Sequence, residues 1–74
     1  MSTLRELREE NGKSRAEVAA ALGVTVQAMA NYEKGRRRIS LEQVLILSKE
    51  YCMTSEEIIN VELITIGSSN KVIG

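Results

Sequence analysis

Four times in 74 residues a hydroxyl side chain is followed three positions later by Glu or Gln: Thr3 and Glu6, Ser14 and Glu17, Ser40 and Gln43, Thr54 and Glu57. In this pattern the hydroxyl accepts from the amide of the later residue, and that residue's side chain reaches back to the first amide. Two of the four orphan N–H groups at a helix start are satisfied in this way. The boxes are so closely spaced that only short helices fit between them. Thr25 supplies a fifth cap, and Asn11-Gly12, Gly23 and Gly35 supply stops of the left-handed kind. Five helices are predicted, with inward stripes at Leu4 and Leu7, at Val18, Ala19 and Leu22, at Met29 and Tyr32, and at Val44, Leu45, Leu47 and Tyr51. The fifth is predicted to start at Thr54 and end near Asn60. The β-branched run Val61-Glu62-Leu63-Ile64-Thr65-Ile66 reads as a strand, ahead of the polar Gly67-Ser68-Ser69-Asn70. The expected fold class is all-α, with residues 1–60 as one helical domain and residues 61–74 as a C-terminal tail. An apolar content of 43% over 74 residues supports one modest core and no second domain.

Several chemistries are excluded by what is missing. The chain has one cysteine, Cys52, no histidine and no aspartate. It therefore has no internal disulfide, no metal-ligand cluster and no acid–base pair of the usual kind, and neither a catalytic residue, a metal nor a cofactor is expected. Cys52 reads as a small buried residue in a reducing compartment. No apolar run approaches the length of a bilayer, and Arg5 and Arg8 stand among glutamates rather than ahead of an apolar leader. The expected location is the cytoplasm, with no membrane partner.

A net charge of zero argues at first against a polyanion ligand, but the charge is unevenly placed. Lys13, Arg15, Lys34, Arg36, Arg37 and Arg38 face only Glu17 and Glu33 between residues 13 and 38, a local balance of +4. The excess of acid lies before and after. Positive potential is thus concentrated around the second and third helices.

Those two helices are separated by Gly23 and Val24 alone. So short a joint forces a steep crossing, and a left-handed glycine makes the turn sterically possible. Ala19 sits where the helices must pass closely. Met29 and Tyr32 hold the third helix to the body, and at about 100° per residue the opposite side carries Gln27, Asn31 and Lys34, flanked by Val26 and Ala30. Glu33 is expected to pair with a basic neighbour or to cap locally. A polar stripe by itself is an ordinary solvated face; the tight joint and the cationic ends give this one its interest.

The pattern Arg15-x-x-Val18-Ala19-x-x-Leu22-Gly23-Val24-Thr25-x-x-x-Met29-x-x-Tyr32-Glu33-x-Gly35 resembles the helix-turn-helix of the lambdoid-phage repressor and Cro family, also called the xenobiotic-response-element type. The resemblance runs from about Leu4 to Ile59, with the motif at residues 15–35. It implies a compact five-helix lambda-repressor-like domain whose third helix enters the major groove of double-stranded DNA. On this sequence it makes Val26, Gln27 and Asn31 the base readers. Gln and Asn can bond the adenine edge with two hydrogen bonds, and valine can pack on a thymine methyl. Arg15, Thr25, Lys34, Arg36, Arg37 and Arg38 become phosphate contacts that set register and give salt sensitivity. Two positions depart from the family: Arg15 replaces a usual glutamine, and Ile39-Ser40 lacks the proline common after the basic loop.

The implied function is a transcriptional regulator, a repressor acting at a short operator in a bacterial or phage-infected cell, and the small size fits a phage or mobile-element switch. One such domain covers few base pairs, so a homodimer is expected, paired through the fifth helix or the Val61-to-Ile66 segment as a dimerisation strand. The competing implication, kept open by the neutral net charge, is an antitoxin-like or anti-repressor-like module that binds a partner repressor or toxin and has weak DNA affinity of its own.

Overall fold

A computed structural model describes residues 2–70 of the chain, with side chains described through Gly67. The predicted helix starts are where the boxes place them. Helix α1 spans Leu4–Glu10, α2 Arg15–Leu22, α3 Val26–Glu33, α4 Leu41–Glu50 and α5 Ser55–Asn70. Thr3, Ser14 and Ser40 each form a reciprocal box with Glu6, Glu17 and Gln43. At the head of α5 the Thr54 amide donates to Glu57 Oε1 at 2.9 Å, while Thr54 Oγ1 accepts from the Glu57 amide at 3.1 Å. At Glu17 and Glu57 these bonds to the ionised form hold the carboxyl below its ordinary pKa.

The predicted stripes meet in one core. Leu4, Leu7, Val18, Ala19, Leu22, Met29, Tyr32, Val44, Leu47 and Tyr51 are buried together with Ile58 and Val61. Helix α1 packs on α3 and α5, α2 on α3 and α4, and α4 on α5. Leu45, assigned inward by the sequence, is exposed, because α4 turns Val44, Leu47 and Tyr51 to the core and leaves position 45 outside. Burial of the Tyr51 phenol raises its pKa to about 12. Cys52 is a second correction: it is exposed rather than buried. It follows the end of α4 with a φ of 54°, the left-handed residue at which the helix stops.

The strand expected at Val61 to Ile66 is instead the second half of α5, which continues without a break through position 60 to Asn70. Strand preference amounts to about 1 kcal/mol and depends on context. Here Ile58, Val61, Glu62 and Thr65 recur at helical spacing, and all are buried against α1 and α4. Thr65 adds a tie that a strand could not supply: its Oγ1 accepts from the Leu4 amide and donates to the Val61 carbonyl, both at 2.8 Å. The first orphan amide of α1 is thereby satisfied from the far end of the chain. Residues 71–74, the rest of the tail distinguished in the sequence, lie outside the described residues.

Glu62 is the buried acid of α5. One carboxylate oxygen accepts from the Ile39 amide at 2.9 Å and the other is buried without a partner among the described residues. Desolvation raises its pKa above the ordinary 4.5, against the Ile39 hydrogen bond and the nearby Arg38 charge. A raised native pKa means that the folded state favours the protonated acid, so this residue's stabilising contribution is complete below the unfolded pKa and is lost as pH rises through the folded one. Glu62→Gln keeps an acceptor for Ile39 and removes the buried charge. Thermal melts are expected to show the variant more stable than the native chain at pH 7 and without that advantage at pH 4. An equal difference at both pH values would show that the ionisation of Glu62 carries no cost.

Candidate nucleic-acid interface

Helix α3 is presented by the joint that the sequence predicted. Gly23 caps α2 with φ 71° and ψ 30°, and the Val24 amide donates back to the Ala19 carbonyl at 3.0 Å. Thr25 starts α3 immediately, its Oγ1 accepting from the Ala28 amide at 3.0 Å. That bond uses an acceptor site of the hydroxyl, and its O–H has no acceptor among the described residues. Met29 and Tyr32 are buried as expected, and the Tyr32 hydroxyl accepts from Gln43 Nε2 at 3.2 Å, tying α3 to the first turn of α4.

Of the three expected readers, Val26 and Gln27 are exposed at the start of α3 and Asn31 is half-buried one turn later. They share the outward side with Lys34, which caps the helix C-terminus and is exposed. Ala30 does not flank this stripe in the open, as the wheel suggested, but is buried. It lies one turn ahead of Glu33, whose side chain is also closed in by the body.

The end of α3 brings the cations together. Gly35 takes φ 74°, and the Arg36 amide donates to the Asn31 carbonyl at 2.9 Å, folding the basic loop back over the last turn. Arg36, Arg37 and Arg38 are all exposed. Arg37 is not free to wander, since its guanidinium lies 5.8 Å from the centroid of the Tyr32 ring, a cation–π contact with a residue of α3 itself. Ile39, next in the loop, is the residue pinned to α5 by Glu62. The loop that offers positive charge is therefore anchored at both ends.

Arg15 stands at the first position of α2, half-buried, and is already engaged. Its Nε and Nη2 donate to Glu33 Oε1 at 3.2 and 3.1 Å. Arg8 reaches the same carboxylate from α1, with Nε to Oε2 at 2.6 Å, and its Nη1 donates to the Lys13 carbonyl at 3.0 Å. Hydrogen bonding to Glu33 raises the Arg8 pKa further above its ordinary value. Glu33 thus pairs with basic neighbours as expected, but it has two, and one was missed. Arg8 could have been found from its spacing, because it falls four residues after Leu4 on the inward side of α1. Glu62 and Thr65 could not, since their partners Ile39 and Leu4 are brought to them only by the packing of α5.

A family model described as helix-turn-helix matches residues 4–57. Provisionally named HTH-type transcriptional regulatory proteins are also similar. One, from Thermococcus kodakarensis, is 44% identical over 46 residues, covering 62% of this chain and 14% of that protein. Another, from Pyrococcus horikoshii, is 42% identical over 48 residues, covering 65% and 15%. A third, from Thermococcus gammatolerans, is 43% identical over 42 residues, covering 57% and 13%. The similar segment is thus less than a sixth of each relative. No solved structure matches the chain.

Proposed function

The chain belongs to the helix-turn-helix family, of the lambda-repressor and Cro type, and from that membership we propose that it is a DNA-binding transcriptional regulator that represses from a short operator. The observation that carries this reading is the outward side of α3. Val26, Gln27 and Asn31 stand clear of the core on a helix fixed by Gly23 and Val24 at one end and by Glu33 and Tyr32 at the other. Val26, Gln27 and Asn31 read base edges in the major groove. Arg15, Thr25, Lys34, Arg36, Arg37 and Arg38 hold phosphates on either side, and affinity falls with salt accordingly. This is a binding role rather than a catalytic one.

Two copies act together on an inverted repeat. The surface for pairing is the seam of α4 and α5, where Leu41 is 76% exposed, Leu63 60%, Leu45 53% and Ile59 41%. On α4, Gln43 reaches towards α3, while Leu41 and Leu45, one turn apart, are exposed. On α5, Glu62 faces the start of α4, and Ile59 and Leu63 lie on the flank beyond it. The four exposed aliphatic side chains belong to two helices that pack on one another, and large exposed apolar groups of this kind mark contact sites. The same seam and the zero net charge favour the second reading, a module that binds a partner repressor or toxin.

Fluorescence anisotropy with a random duplex at low salt separates the two, with selection from a random pool to follow. Binding below about 10 μM that weakens with salt is expected of the regulator; its absence favours the partner-binding module. On the selected duplex, Gln27→Ala is expected to cost about 1–3 kcal/mol, with little loss on random DNA. Equal losses on both would remove Gln27 from the readers.

A further inference from the structure

We propose that Glu33 is a positioning residue for DNA binding, one that holds the Arg15 guanidinium in place for a backbone phosphate; the inference rests on the DNA-binding reading above. The structure gives Arg15 a built setting. The Glu33 side chain is 2% exposed, Arg8 10% and Arg15 37%. The carboxylate is thus closed off behind by Arg8 and in front by Arg15, and of the three charged groups Arg15 is by far the most open to solvent.

The way Arg15 is held matters. Its Nε and Nη2 are both spent on one carboxylate oxygen, which leaves Nη1 without a partner among the described residues. A guanidinium gripped along its Nε–Nη2 edge still presents the Nη1–Nη2 edge, with two N–H groups parallel and outward, the geometry that suits two phosphate oxygens. Two cations share one anion, so one positive charge is left over, and it sits at the first turn of α2 beside the end of α3. The conformational freedom of this long side chain is given up on folding, and binding need not cost it again. Among the described residues Lys34 and Arg36 carry no such brace.

The inference opposes simple charge counting. Removing a carboxylate near a polyanion should strengthen binding. Glu33→Gln leaves one acceptor oxygen, which the more deeply buried Arg8 claims, and sets an amide NH2 against Arg15. The brace is then lost although net charge has risen by one unit.

The experiment measures anisotropy on a random duplex over a salt series for the native chain, Arg15→Gln, Arg15→Lys, Glu33→Gln and the Arg15→Gln/Glu33→Gln double variant, with circular dichroism confirming the folded state of each. Arg15→Gln is expected to weaken binding roughly tenfold and to lower the salt slope by about 1. Arg15→Lys keeps the charge but cannot make the forked contact, and is expected to lose nearly as much. Glu33→Gln is expected to weaken binding in the native background and not in the Arg15→Gln background. Arg15→Lys binding at native strength would overturn the proposal, as would equal losses from Glu33→Gln in both backgrounds. If Glu33→Gln does not fold, the Arg15→Lys comparison decides alone. A native chain that fails to bind duplex would overturn the DNA-binding reading and this one with it, whereas native binding with an inert Arg15 would overturn only this one.

Discussion

Glu33→Ala is expected to cost about 3–5 kcal/mol, enough to unfold much of the protein at 37 °C, because it leaves a buried guanidinium without its counter-charge. Arg8 is 10% exposed in its side chain and makes its shortest contact, 2.6 Å, with Glu33. A domain of 74 residues is stable by roughly 4–11 kcal/mol at the usual 0.05–0.15 kcal/mol per residue, so the loss would consume a large share of the total. The destabilisation belongs to the orphaned charge rather than to a strongly favourable pair. Adding Arg8→Met to the same variant is therefore expected to recover much of the stability, since an apolar replacement of both partners avoids burying an unpaired ion. Urea unfolding of the native chain, the single variant and the double variant tests this. A single-variant cost below about 1 kcal/mol, in the range of exposed pairs, would show that Arg8 finds water or another acceptor.

Leu47→Ala is expected to cost about 2–5 kcal/mol, comparable with the first effect but different in origin. Leu47 has no exposed surface and lies in the core shared by α2, α4 and α5. Truncation removes apolar burial and leaves a void that the short surrounding helices can fill only in part. The melting temperature would fall by about 10–30 °C for a domain of this size. Leu41→Ala in the same helix is the internal comparison: Leu41 is 76% exposed, and its truncation should change stability by no more than about 0.5 kcal/mol. Similar losses at both positions would contradict the assignment of Leu47 to the core and Leu41 to the outside.

The contrast between these two leucines shows where sequence reasoning works and where it stops. Helix starts were legible because a capping box is a local object, with both hydrogen-bonding partners three residues apart. Stops at Gly12, Gly23 and Gly35 were legible for the same reason: each takes a positive φ that glycine adopts at no steric cost. The outward placement of Gln27 and the inward placement of Met29 and Tyr32 followed from helical periodicity once Gly23 fixed where α3 begins. On α4 Leu45 and Leu47 lie about 200° apart, so one stripe cannot hold both, and the packing of α4 on α2 and α5 turns Val44, Leu47 and Tyr51 inward and leaves Leu45 outside.

The Val61-to-Ile66 segment failed for a different reason. Its β-branched composition was read correctly, but local preference there is weak beside the burial that Ile58, Val61 and Thr65 achieve together at helical spacing. Nothing within that segment says that α1 lies alongside it with an unsatisfied amide at Leu4 for Thr65 to meet.

By itself the sequence determined the number of helices, their starts, the tight joint at Gly23 and Val24, and the outward side of α3. These rest on hydrogen bonds, steric limits and periodicities that act within a few residues. Only the tertiary structure decided the length of α5, the bond from Glu62 to the basic loop and the convergence of Arg8 and Arg15 on Glu33. Each of those joins groups 18 or more residues apart, and which distant groups meet is settled by how the helices stack on one core.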